Sequence, residues 1–259
     1  MAGLVWRFLR VQVLNELQYR ANFLVRLLNS ALSLVTGVAV LALVFGEVDR
    51  LNGWSAGQLL VVMGVFTMMN GFVQMVVMPA ALKLLTDIQD GDLDHVLTKP
   101  VDAQLVVGVR AVQLWQGVDL LTGAGVVAVA VVWLGDGVGP LDLLAFAVSL
   151  VLGAVLVHSF LMIVTTTAFW FVRLDNVAEL FSGVYQAARW PVGIYPGWLR
   201  AGLTFVVPVG LAVTVPAEAL TSRLTPQTLA AQAALALALA LVGRALWRAG
   251  LRRYSGASS

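Results

Sequence analysis

The chain has 259 residues, of which 60% are apolar and 12% charged, against about 45–50% and about 25% in soluble domains. With a mean hydropathy of +0.90, this excludes a disordered chain, a fibrous one and an ordinary soluble enzyme, and it points to a polytopic membrane protein. Absence of cysteine excludes disulfides, thiolate catalysis and Cys-ligated metals. The two histidines, His95 and His158, are far apart and leave little for haem or zinc. The net charge is +2, and 14 of the 16 basic residues are arginine. Most flank apolar runs, a pattern that reads as topology rather than nucleic-acid binding.

The first 20 residues are too interrupted by Arg, Gln, Asn and Glu for a signal peptide. Trp6, Leu9, Val13 and Leu17 share a helical face, which suggests an interfacial helix along the membrane surface; the alternative is a solvated lead-in. A membrane helix needs about 20 mostly apolar residues. Runs of that kind are Leu27–Phe45, Leu59–Leu82, Ala111–Leu134 (broken only by Asp119), Leu143–Val172 and Leu224–Gly243. A shorter, more polar segment, Val177–Trp190, is the expected fifth of six spans. Between it and the last run stand Pro191, Pro196, Pro208 and Pro216. Proline interrupts a helix, so this stretch favours short re-entrant helices over a seventh full span, and such backbone needs protein or water around it.

Six spans with both termini inside put 12 basic residues on the inside and four (Arg50, Arg189, Arg200 and Arg223) outside. That bias favours cytoplasmic termini. With no linker and no obvious internal repeat, a single transmembrane domain over residues 1–259 is expected.

The inside loop after the second span reads LKLLTDIQDGDLDHVLTKPVDAQ, residues Leu82–Gln104. Thr86 or Asp87 is placed to cap a short helix and Gly91 to break it. Asp92 is placed to cap a second helix with Leu93, Val96 and Leu97 on one face. Leucines exposed beside a membrane suit docking into a partner's groove; a plain polar connector is the other reading. The acids Asp87, Asp90, Asp92 and Asp94 lack the ligand spacing of a calcium loop.

The segment IQDGDLDHVLTKPVDAQ resembles the cytoplasmic loop of bacterial ABC-2-type permeases, in the branch once described as an uncharacterised permease family. The pattern Gly-x-Leu-Asp-x-x-Leu-x-x-Pro is filled by Gly91, Leu93, Asp94, Leu97 and Pro100, with Asp92 between the first two. Leu17–Leu28 and Ala188–Leu220 are similar to the same branch. The resemblance implies an all-α membrane protein of six helices in the bacterial inner membrane, preceded by an interfacial helix, with re-entrant helices before the last span. It implies a permease dimer, identical or paralogous, above two separately encoded ATP-binding subunits that bind ATP and magnesium, this chain binding no cofactor itself. It assigns ATPase contact to a coupling helix including Asp87, Gly91, Asp92, Leu93, Asp94, Leu97 and Pro100. It also implies ATP-driven export, the cargo read as amphipathic: a drug, lipid or glycoconjugate. The chain contains no G-x-x-x-x-G-K-[ST] loop, so ATP hydrolysis is expected on the partner.

Charges within the apolar runs are the other candidates. Asp119 is either a carboxylate hydrogen-bonded by Gln116 or Thr122 or part of a substrate path or helix pairing. Asn70 and Gln74 share a Met-rich face with Met75 and Met78, which suits either an amphipathic cargo or a helix seam. Glu179 is placed for a local ion pair with Arg173. His158 reads as a core histidine, and Arg189 beside Trp190 as an outer interface anchor. The competing class is a proton-coupled secondary carrier using Asp119 and Glu179. It calls for facing buried acids and usually internal repeats.

Overall fold

A computed structural model describes residues 20–98, 102–135, 137–171 and 176–254. The interfacial-helix expectation, Pro100, Arg173 and Asp175 lie outside the described residues. Among the described residues there is no strand, only an isolated bridge between Leu51 and Trp54.

The first helix, α1, runs Arg20–Glu47. At 1.5 Å per residue it is about 42 Å long, enough to cross a bilayer. The end at which it starts is called here the near end, the other the far end. Ser55 opens α2 with a capping box: its hydroxyl accepts the Gln58 N–H, and the Gln58 side chain accepts the Ser55 N–H at 3.2 Å. This second helix runs Ala56–Asp90 with one π turn at Val73–Val77. Gly91, at φ +79°, stops it; only glycine adopts that left-handed turn freely. Gly91 thus ends the helix as expected, but no separate short helix starts at a Thr86 or Asp87 cap. No glycine or proline interrupts Leu82–Asp90, and Leu84, Leu85 and Asp87 are buried along it.

Two short helices, α3 (Asp94–Leu97) and α4 (Ala103–Val109), return the chain to the bundle. The Asp102 carboxylate caps α4 by accepting the Gln104 and Leu105 N–H groups. Next come α5 (Gly117–Leu134) and α6 (Pro140–Thr166), joined across Gly135 at φ +66°. Pro140 starts α6, where its missing N–H costs nothing, and the Asp142 carboxylate accepts the Gly139 N–H at 2.9 Å. The last long helix, α10, runs Pro226–Leu251, capped by Thr225.

Among the described residues five helices are long and apolar enough to span a membrane: Phe23–Glu47, Ala56–Asp90, Leu114–Leu134, Pro140–Phe169 and Pro226–Leu251. The expected fifth span, Val177–Trp190, is not one continuous helix. It is α7 (Val177–Gln186) followed by tight turns at Ala187–Arg189 and Val192–Ile194, because Pro191 forbids continuation. The broken segment nevertheless runs along the bundle towards the far end: Phe181 meets Phe160 in the last part of α6, and Gly193 meets Asn52 in the loop between α1 and α2.

The proline-rich stretch forms α8 (Gly197–Ala201), continued by a π turn at Gly202–Val206, and α9 (Val209–Leu220), bent by 94° between them. Both ends of this pair return to one place. Asn52 Nδ2 donates to Gly193 O at 2.7 Å before it, and Arg223 Nη1 donates to Gly53 O at 2.9 Å after it. Two neighbouring residues of one loop thus hold both ends, so the pair is re-entrant. Its buried backbone lies against α6, α2 and α10, as irregular chain at that depth requires. Gln232 of α10, fully buried, donates to Ser149 O of α6 and Leu211 O of α9.

The bundle is organised around α2 and α5. Gly57, Gly64 and Gly71 recur every seven residues on one face of α2. A Cβ on Gly57 would sit 2.9 Å from Leu134, on Gly64 2.9 Å from the Val127 backbone N, and on Gly71 2.6 Å from the Leu120 backbone N. From the other side, a Cβ on Gly123 would overlap the Met68 backbone N and lie 2.6 Å from Gly64 O. Small residues let two membrane helices meet at backbone distance. Met68 and Met69, next to the methionine-rich face, are buried in this region, Met69 against Gly153 of α6, and line a helix seam. By contrast, α1 is mostly exposed along its length.

Candidate functional site

The segment from Gly91 to Val109 has a hydrophobic core of its own at the near end. Leu84 of α2, Leu93, Val96 of α3, Val107 of α4, Met162 of α6 and Trp247 of α10 are buried together. Phe169 packs edge-on to Trp247 and Tyr254, at 5.9 and 6.0 Å between ring centres.

This core corrects the reading of the loop leucines. Leu93 is 0% exposed and points into the chain, whereas Leu97 is 37% exposed. The two do not form one exposed face, because Leu93 precedes α3 as its cap residue and the turn after Gly91 swings it inward. Nor does Asp92 cap that helix: Leu93 is the cap position, without a side-chain hydrogen bond.

Asp87 is also turned inward. Its side chain is 3% exposed and ion-paired to Lys83 at 2.8 Å and to Arg110. It ties the end of α2 to the residue after α4. On the other flank Arg244 of α10 pairs with Asp102, with Nη1 to Oδ1 at 2.9 Å, and also donates to Gln104. The Arg244 guanidinium holds the Asp102 carboxyl below its usual range, so the clasp is present above the ordinary aspartate range and weakens as pH falls through the lowered value. Asp90, Asp92, His95 and Leu97 remain exposed, with Asp94 half-buried.

Tyr254 locks the turn. Its hydroxyl donates to Gly91 O at 2.6 Å and accepts the Leu93 N–H at 3.1 Å. Nothing in the sequence marked this contact, since the tyrosine lies 161 positions from Leu93. Tyr254→Phe removes two hydrogen bonds, each worth about 0.5–1.5 kcal/mol. The expected result is faster amide exchange at Leu93 with the global melting midpoint nearly unchanged, read by hydrogen exchange in detergent.

The second cluster joins three helices. Asp119 of α5 is 5% exposed. It pairs with Arg26 of α1 and accepts from Asn70 Nδ2 of α2 at 3.1 Å. Of the two readings of Asp119 the helix-pairing one matches these contacts: neither Gln116 nor Thr122 is its partner, because α1 and α2 present polar groups from across the seam. Gln74 is half-buried in the π turn beyond Asn70. There the Met75 carbonyl, within the π turn, accepts the Gln113 N–H at 2.8 Å. A continuous path thus links Asp87 and Arg110 through the α4–α5 connection to α2 and Asp119. Glu179 is exposed at the start of α7, so the facing pair of buried acids wanted by a proton carrier is not built from it. His158 is half-buried, with its ring against Gly108.

Removing one member of a fully buried pair costs about 3–5 kcal/mol. The Arg26 side chain is 24% exposed, so Asp119→Leu should cost less, about 2 kcal/mol. The double variant Arg26→Leu/Asp119→Leu should recover part of that loss. Unfolding in detergent of the single and double variants measures the coupling.

Arg189 is not an outer anchor. Its Nη2 donates to Ser33 O at 3.1 Å, in mid-α1, beside Gly37 and Met63. Among the described residues no group of three or more His, Asp or Glu is placed to hold a metal ion.

Comparison with known proteins gives one finding. A family model described as ABC-2 family transporter protein matches residues 31–258. No curated protein and no solved structure matches the chain.

Proposed function

The chain belongs to the ABC-2 transporter family, and from that premise we propose that it is a permease subunit without an ATPase site of its own, exporting an amphipathic cargo with ATP hydrolysed by two separate ATP-binding subunits. ATP and magnesium are bound on those partners. A second permease, identical or paralogous, completes the pathway. The bacterial inner membrane is the setting, with both termini cytoplasmic; α1 starts and α10 ends at one end of the bundle, which is compatible with six crossings.

The observation that carries this reading is the braced segment Gly91–Val109. A solvated connector has no need of its own apolar core, two ion-pair clasps and a tyrosine lock, whereas a segment that transmits force from a partner does. Its outward face, Asp90, Asp92, His95 and Leu97, is the contact surface for the ATPase. Gly91 sets the turn, and Asp94 flanks it. Asp87 and Leu93 hold the segment from within. Movement received there passes through Arg110 to Asn70, Gln74 and Asp119, where α1, α2 and α5 meet beside the cargo path.

Co-expression with candidate ATP-binding subunits followed by purification in mild detergent tests the proposal. The complex should hydrolyse ATP and the chain alone should not; hydrolysis by the isolated chain, or no co-purifying ATPase, sinks it. Reporter fusions after Gly53 and after Ser259 should report opposite sides of the membrane.

A further inference from the structure

Arg189 carries a charge that the rest of the described chain does not balance. Its one polar contact among the described residues is the Ser33 carbonyl, and it belongs to none of their ion pairs. An arginine side chain in a protein keeps its charge, with five N–H donors. Arg200 likewise donates to one backbone carbonyl, Gly193 O, and Arg223 donates to Gly53 O and Gln58 and lies over the Trp54 ring; Arg189 is set apart by where its guanidinium lies.

The guanidinium borders a cavity of about 220 Å³, lined also by Val40, Leu41, Leu59, Met63 and Trp190. Gly37 makes the room. A Cβ there would lie 2.5 Å from Met63 Sδ and 2.6 Å from Arg189 Nη2. Gly37 lies ten residues before the end of α1 and Met63 seven after the start of α2. At 1.5 Å per residue the cavity is about 10–15 Å below the far end, inside an apolar layer about 30 Å thick. A charge at such a depth is costly unless paired.

We propose that this cavity binds the head of an amphiphile with one anionic group, a phosphate or carboxylate, which pairs with Arg189 while its apolar body leaves past Val40. Guanidinium matches such a head with paired N–H donors. A volume of about 220 Å³ is below the roughly 300–1,000 Å³ of sites that enclose a whole ligand. It therefore takes a head and the first part of a tail, and Val40, 39% exposed at the rim, leaves the remainder a way out. The source is either the transported cargo or a resident membrane lipid. Only the choice between these two rests on the transporter reading.

The test uses the full chain in phosphatidylcholine nanodiscs with dioctanoyl phosphatidic acid as probe, read by native mass spectrometry. The phosphatidate should bind at least tenfold tighter than dioctanoylglycerol, which has the same tails and no charge. Arg189→Gln should erase the preference and Arg200→Gln should leave it intact. Val40→Trp, which fills the rim and keeps the guanidinium, should weaken binding of the phosphatidate. Equal binding of the two probes by the unaltered chain overturns the proposal, as does full binding by the Arg189 and Val40 variants. With ATP-binding subunits attached, stimulation of hydrolysis by the phosphatidate marks cargo; binding with hydrolysis unchanged marks a resident lipid, and either result supports the site.

Discussion

Gly123→Leu should leave little folded protein, whereas Gly125→Leu, two positions along the same helix, should be nearly silent. A Cβ at 123 overlaps the Met68 backbone N and lies 2.6 Å from Gly64 O. Backbone atoms cannot rotate away as a side-chain tip can, so α2 and α5 must separate along their whole seam. Overpacking a core costs about 1–3 kcal/mol when side chains can adjust; here the cost lies at or beyond the upper figure. Gly125 has no atom within 4 Å of the added Cβ, and a substitution into open space stays within about 0.5 kcal/mol. Size-exclusion profiles and thermal midpoints in detergent give the comparison. If the two variants behave alike, the glycine seam is not what joins the helices.

The same seam shows where the sequence is readable. Hydropathy located α1, α2, α5, α6 and α10 because each needs a long apolar run and nothing more. The prolines also singled out the stretch before the last span as re-entrant, although only Pro208 stands at the bend, as the cap of α9, while Pro216 is held inside that helix. The spacing of Gly57, Gly64 and Gly71 was open to reading as well, and seven is a helical repeat. What was hidden depends on partners distant in the chain. Arg26 and Asp119 are 93 positions apart, Tyr254 and Gly91 163. Local spacing offered Gln116 and Thr122 to Asp119, and tertiary contact overrode both. Arg189 looked like an interface residue for the same reason: Trp190 beside it is a belt residue by type, but the turn at Ala187–Arg189 carries the guanidinium inward to α1.

Leu93→Asp and Leu97→Asp should fail in different ways, and that difference separates the inside of the coupling segment from its outside. Leu93 is fully buried among Leu84, Val96, Val107, Met162 and Trp247. Replacing it removes about 1.5–3 kcal/mol of apolar burial and places a carboxylate among apolar groups, a further penalty because no partner is at hand. The segment should come away from α6 and α10, so the melting midpoint and capture of the ATPase should fall together. Leu97 is 37% exposed and contributes little to folding. Its aspartate variant should keep the midpoint and lose ATPase capture, since an apolar anchor is exchanged for a charge at the contact surface. Asp90→Asn should change neither, because exposed ion pairs are worth about 0–1 kcal/mol. Thermal unfolding beside pull-down of the ATPase by each variant reads out all three. An unchanged midpoint in Leu93→Asp would remove the inner core from the account. Full capture by Leu97→Asp with capture lost in Asp90→Asn would mean that the surface acts through its acids, and the exposed carboxylates of Asp90 and Asp92 would then be the partner's target.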